Sequence, residues 1–469
     1  MDKKFGVFYR HLKPRRRESA VYPPLVTSRM QFKPACDKWL QKHLCLGRDE
    51  IVRSSDPEYR RKIICLRCSI AAVQWSCCLS LPNRHRRKKD EYRDSDHRRA
   101  RFLLAGVAGM FVSIVGGGIS IASEEPSRVA VDAQGAVHIP AFTMPFSPLA
   151  SKEALKSFID SYVLDSSLQG NSSDLSGKDI GEQRRSYDER YPIPAIQRLR
   201  TLFRVTIKPE TIGGVQTDIV MPVGGTSVEN RDRVLINLHG GSFIFGGRYG
   251  GQAESIPIAG LGMFKVVTVD YAMAPEKKFP AASEDVAKVY RELLKHYRSE
   301  SIGIYGCSAG SLITAEAVAW FQTHGLPRPG AVGLLCMGAM SNVEGDSAYI
   351  GAVLSGVNAP TVSEHGAELS PYFAGGDYRD PLESPAYSAT VLAKFPPTIL
   401  ITGTRDTGMT GVVYTHTQLV KAGADAELYV WEGMRHGFIF YDDNMAPEAR
   451  DAWQVMVKFF GSRLGHGHK

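Results

Sequence analysis

A serine held between glycines, Gly306-Cys307-Ser308-Ala309-Gly310, is the first place in the chain where residue type and spacing point to chemistry. It follows the strand-like run Ser301-Ile302-Gly303-Ile304-Tyr305 and opens a helix. A G-x-S-x-G in that context is a nucleophile elbow: the hydroxyl stands on a sharp strand-to-helix turn, and small neighbours let strand and helix come close. The helix start aims amide N–H groups and a positive dipole end at a developing oxyanion. A second glycine block, His239-Gly240-Gly241-Ser242-Phe243, follows the apolar run Val234–Leu238. Its turn offers further amides, so Gly240, Gly241 and Ala309 are the expected oxyanion donors. Read alone, the same block is also an ordinary glycine loop with a structural histidine.

A serine nucleophile needs a base, and the base needs an orienting acid. The order for such an elbow is serine, acid, histidine. Downstream of Ser308 stand His324, His365, His416, His436, His466 and His468. His436 lies in the loop Glu432–Phe438 just past the strand-like Glu427–Val430, whereas His416 falls in a helical stretch. Asp406 sits past the run Thr398–Thr402; Asp380, before Pro381, is its rival but follows no strand. The expected triad is Ser308, Asp406 and His436. Cys307 reads as a small buried filler, because an elbow exposes its central residue. No metal or organic cofactor is called for, and no phosphate-binding loop is evident.

Elements must bring these residues together. β-branched runs at Phe203–Ile207, Thr217–Met221, Val234–Leu238, Val266–Val269, Ile302–Tyr305, Val332–Cys336, Thr398–Thr402 and Glu427–Val430 alternate, from the third onward, with turns or helical stretches. The helical stretches include Ala282–His296, Ser308–Gln322, Val412–Ala422 and Pro447–Leu464. Such alternation predicts an α/β fold with a mostly parallel central sheet and helices on both faces. Two more helices, Ser151–Leu164 and about Ile193–Leu202, precede it, separated by a polar linker at 166–181.

Composition divides the chain elsewhere. Of 57 Lys and Arg, 25 fall in residues 1–100 beside 11 Asp and Glu, leaving 32 basic against 38 acidic residues for the rest. The basicity belongs to the first fifth, which excludes a nucleic-acid-binding body. Six of the 8 cysteines lie there too. Cys65-x2-Cys68 with Cys77-Cys78 resembles part of a zinc site, but no second pair completes four ligands. Residues 1–100 read as a poorly ordered extension, or as the result of a start placed too far upstream. Residues 101–123 follow a basic stretch with FLLAGVAGMFVSIVGGGISIA at 102–122. This layout is that of a signal peptide cleaved after Ala122, which implies a secreted or periplasmic protein. The alternative is a membrane anchor, since about 20 apolar residues span a bilayer. Residues 124–200 are then cap helices and linker, and 201–469 the catalytic domain.

Four blocks in order carry a resemblance: His239-Gly240-Gly241, Asp270-Tyr271-Ala272-Met273-Ala274-Pro275-Glu276 with Phe279-Pro280-Ala281, Gly306–Gly310, and Asp406 with His436-Gly437-Phe438. Together they resemble the hormone-sensitive-lipase-like group of α/β-hydrolase esterases, the bacterial family IV carboxylesterases. The resemblance covers roughly residues 150–465. It implies Ser308 as nucleophile, His436 as general base and acid, Asp406 as orienter, and amides of Gly240, Gly241 and Ala309 as oxyanion donors. It also implies that 270–276 supports the site and that a lid forms from the early helices and from about 341–375. Two departures stand out: Ser242 replaces a usual third glycine, and Cys307 replaces a usual acid. The implied substrate is a small-molecule ester of small to medium acyl size. A lactonase or sugar deacetylase with the same triad, and a non-catalytic ligand-binding protein of the same fold, remain alternatives.

Overall fold

Strands form where apolar, β-branched residues run together between glycine, proline or charged residues, and eight such runs join in one sheet. The computed structural model describes residues 128–169, 179–343, 345–358, 367–368, 370–441 and 445–465. The strands are β1 (Val205–Ile212), β2 (Val215–Pro222), β3 (Val234–Leu238), β4 (Lys265–Val269), β5 (Ile302–Cys307), β6 (Ala331–Leu335), β7 (Thr398–Arg405) and β8 (Ala426–Arg435). Their order across the sheet is β8-β7-β6-β5-β3-β4-β2-β1. The β1–β2 and β2–β4 pairs are antiparallel and the remaining pairs parallel. Gly213 and Gly214 close the β1–β2 hairpin with φ of 59° and 82°, a turn conformation that glycine adopts without strain. Pro209 sits on β1, the edge strand, where its missing N–H breaks no interior ladder.

Ten helices complete the described residues: α1 (Lys152–Gln169), α2 (Ile180–Arg190), α3 (Pro192–Leu202), α4 (Tyr249–Gly262), α5 (Ala281–Leu293), α6 (Ala309–Thr323), α7 (Asp346–Leu354), α8 (Ala389–Leu392), α9 (Met409–Lys421) and α10 (Pro447–Arg463). Two separate apolar clusters sandwich the sheet. One gathers Val286, Tyr290, Leu312 and Phe321; the other gathers Ile256, Phe440, Trp453 and Phe460. The central strands β3 and β5 are buried along their whole length, as a sheet covered on both faces requires. Two short antiparallel ladders lie outside the sheet, Ala130–Val131 with Val137–His138 and Asn342–Val343 with Ala367–Glu368.

The mostly parallel α/β architecture follows the pattern of the sequence, with two differences among the helices. Within the polar stretch expected as a linker, α1 continues to Gln169 and α2 starts at Ile180. The span of α4 gave no helical signal. Helix α7 falls within the stretch expected to contribute to a lid. The basic extension at 1–100, its cysteine motif, the apolar segment 102–122, and His365, His466 and His468 lie outside the described residues. Among the described residues no helix is long and apolar enough to cross a membrane.

Candidate active site

At the carboxyl end of β5 the chain turns into α6 through Ser308, whose φ of 56° and ψ of −122° lie in a region that a non-glycine residue rarely adopts. The turn is held open for it. A Cβ on Gly310 would strike the carbonyl of Leu238, and one on Gly306 would strike the carbonyls of Leu238 and Gly310. The Ser308 N–H is pinned to the Leu335 carbonyl at 2.8 Å. Strain at this single residue is therefore sustained by β3, β6 and α6 together.

His436 follows β8. Its Nε2 lies 2.7 Å from Ser308 Oγ and its Nδ1 lies 2.7 Å from Asp406 Oδ1. Asp406 follows β7 and is fully buried. Its carboxylate also accepts the Thr402 hydroxyl at 2.9 Å and the Gly408 N–H at 2.8 Å. Burial opposes the imidazolium of His436, yet the charge and hydrogen bond of Asp406 prevail and raise its pKa to about 9. Asp380, the rival acid, is occupied elsewhere and caps its own turn through the Leu382 N–H. His416 lies on α9, and His324 stacks on Trp320.

The glycine block turns where β3 ends. His239 is buried, stacks on Tyr271 with ring centroids 4.2 Å apart, and donates from Nδ1 to the Gly240 carbonyl at 2.8 Å. Gly241, Ser242 and Phe243 all take positive φ, 120°, 56° and 65°. A Cβ on Gly241 would strike the Phe245 carbonyl, so the glycine is required there. Gly240 differs from its expected role. Its N–H donates at 2.8 Å to the buried carboxylate of Glu254 on α4 and is not free for a substrate. Sequence reasoning missed Glu254, because nothing in Gly250–Gly260 marks one residue as special. Among the described residues the N–H groups of Gly241, Ser242 and Ala309 donate to no protein acceptor.

Cys307 is buried and free. Hydrogen bonding to Cys336 and burial hold its thiol protonated, well above the usual range, so it offers no thiolate. The segment 270–276 braces the site from outside. Tyr271 donates to the His239 carbonyl at 2.6 Å, and Glu276 takes a two-pronged pair from Arg184 of α2 at 2.7 Å on each side. A cavity of about 200 Å³ opens at Ser308 and His436, lined among others by Phe243, Met337, Met340 and Gly411. Among the described residues no group of three or more His, Cys, Asp or Glu side chains is gathered so as to hold a metal ion.

Comparison with known proteins points to the same fold. A family model of the alpha/beta hydrolase fold matches residues 235–440. The chain is similar to an acetyl-hydrolase of Streptomyces hygroscopicus, 28% identical over 267 residues that make up 55% of this chain and 86% of the relative. Among solved structures it resembles esterase E25, at 32% identity and a TM-score of 0.58, covering 70% of this chain and 98% of that one. It also resembles an esterase of the bacterial hormone-sensitive lipase family, at 25% identity and a TM-score of 0.56, covering 69% and 100%.

Proposed function

Because this chain belongs to the hormone-sensitive-lipase-like esterases of the α/β-hydrolase fold and hydrolyses esters, we propose that it does so through an acyl-enzyme on Ser308. The observation that carries this reading is the unbroken relay from Ser308 Oγ through His436 to Asp406, with both contacts at 2.7 Å. His436 Nε2 takes the Ser308 proton as Oγ attacks the ester carbonyl. Asp406 holds the imidazole by its Nδ1–H and stabilises the imidazolium. The carbonyl oxygen becomes an oxyanion that rests on the amides of Gly241, Ser242 and Ala309. Collapse of the tetrahedral adduct breaks the bond to the alcohol, which leaves with the proton from His436. Water, deprotonated by the same imidazole, then attacks the acyl carbon; collapse of this second adduct breaks the acyl bond to Ser308 Oγ, which takes the proton from His436 as the carboxylic acid leaves.

The cavity of about 200 Å³ walled by Met337 and Met340 supports a short to medium acyl group. The name of the Streptomyces relative, an acetyl-hydrolase, points the same way. Turnover of p-nitrophenyl acetate, butyrate and octanoate by the full chain tests the proposal. Acetate and butyrate are expected to outrun octanoate, and Ser308→Ala is expected to lose on the order of 10⁴-fold or more in kcat. Equal turnover by the Ser308→Ala protein would overturn the assignment.

A further inference from the structure

A carboxyl group is an expensive thing to bury, and α4 buries one completely. Glu254 faces the underside of the site, and donors from separate loops converge on it. Oε1 accepts the Gly240 N–H and the Tyr441 hydroxyl, each at 2.8 Å. Oε2 accepts Asn237 Nδ2 at 2.9 Å, and Asn237 Oδ1 is itself fixed by the Thr268 hydroxyl at 2.9 Å. The Glu254 carbonyl accepts the Tyr305 hydroxyl at 3.2 Å. A leucine here would serve the surrounding apolar cluster; a carboxylate serves the donors.

Each donor sits beside a working part. Gly240 directly precedes Gly241 and Ser242. Tyr305 lies three residues before Ser308. The Tyr441 N–H bonds to the Gly437 carbonyl at 3.2 Å, which closes the turn next to His436. Resting on the acyl-enzyme reading above, we propose that Glu254 is a positioning residue for that reaction: its carboxylate clasps the oxyanion loop and the histidine loop from below. With the Tyr305 bond to its carbonyl, it keeps the amides, the nucleophile and the base in one mutual geometry. Burial pushes this carboxyl up to about 7, while Asn237, Gly240, Tyr441 and the Cys307 amide favour its ionised form. The clasp does not require the charge itself: a glutamine keeps one carbonyl oxygen for Gly240 and Tyr441, and its NH2 fits at the Oε2 position once the Asn237 amide flips, its oxygen then accepting from the glutamine and its nitrogen donating to the Thr268 hydroxyl.

The test compares Glu254→Ala, Glu254→Gln and Tyr441→Phe in the full chain. Kinetics with p-nitrophenyl butyrate are normalised to active sites titrated by a fluorophosphonate, which corrects for any misfolded fraction. A misplacement of about 1 Å at reacting groups costs about a hundredfold. Glu254→Ala is therefore expected to lose about that much kcat per titrated site, with KM within about threefold of wild type. Affinity for a phenylboronic acid, which forms a tetrahedral serine adduct, is expected to fall in parallel. Glu254→Gln is expected to recover most of the loss, and Tyr441→Phe to lose at least threefold. Wild-type kcat per site in Glu254→Ala, or a glutamine no better than alanine, overturns the inference. If Glu254→Ala yields no folded protein, wild-type kcat in Tyr441→Phe overturns it. A wild-type protein whose turnover is unaffected by Ser308→Ala overturns the acyl-enzyme reading instead.

Discussion

Asp406 and His436 share a hydrogen bond of 2.7 Å, and in the proposed reaction the pH behaviour of the base follows from that contact. Asp406 lifts the imidazole to about 9 against the effect of burial. The base acts in its neutral form, so kcat/KM is expected to climb as pH rises through that value in the free enzyme. Replacing Asp406 by Asn removes the charge that raises the pKa and leaves the burial that lowers it. The ascending limb should then move to lower pH, while the plateau falls by about 10⁴-fold because the imidazole loses its tautomer control. A pH–rate profile of both proteins checks this; a limb that stays in place would remove His436 from the role of base. That Ser308, Asp406 and His436 would meet was legible in the sequence, because type and position after a strand both single them out. The role of Gly240 was not legible. Whether an amide faces the cleft or is taken by a buried carboxylate depends on Glu254, which pattern alone cannot place.

At the scale of elements, the helices that escaped the sequence are those without one apolar face. Helix α4 is buried on nearly all sides and carries glycines and Pro257, so no period of 3.6 shows. Helix α2 is the opposite, with no fully buried residue, and contacts hold it rather than an apolar stripe. Arg184 Nε donates to the Ile244 carbonyl at 2.8 Å, and its guanidinium grips Glu276. The ion pair is partly exposed, with side-chain accessibilities of 24% and 50%, and by itself contributes no more than about 1 kcal/mol; Arg184→Ala also removes the bonds to the Ile244 and Ala274 carbonyls and should cost on the order of 1–3 kcal/mol globally. Its local effect should be larger. Amide exchange across 180–190 is expected to accelerate while the rest of the sheet stays protected; uniform protection would show that α2 is held by other contacts. Helix α9 carries a different signal. A Cβ on Gly411 would meet Met340 and Gly338 only at ordinary distances of 3.5–3.6 Å, so packing does not demand glycine there. Its missing side chain leaves room in the cavity. Gly411→Ala is expected to stabilise by up to about 1 kcal/mol and to lower the octanoate-to-acetate ratio of kcat/KM by about tenfold. An unchanged ratio would place the acyl chain on another wall.

For the whole molecule, a mostly parallel sheet covered on both faces was readable because parallel strands buried on both faces have a composition that little else shares, whereas the order of the strands across it was not. What composition hides is a polar group that the finished core leaves alone. Glu316 on α6 is fully buried, and among the described residues neither of its carboxylate oxygens has a hydrogen-bond partner. Burial, with Glu383 nearby, holds its pKa well above the usual range. The folded state therefore keeps a proton that the unfolded chain releases above about 4.3. By linkage the fold loses stability as pH rises from there toward the folded pKa. Glu316→Leu removes both the stranded carboxyl and this proton uptake. It is expected to stabilise by on the order of 1–3 kcal/mol at neutral pH and by less near pH 4, where the wild-type carboxyl is neutral in both states. Urea unfolding at pH 5 and pH 8 reads the difference directly. The wild type should lose more stability between the two than the variant does, and parallel losses would mean that Glu316 has found a partner or a counter-charge in solution.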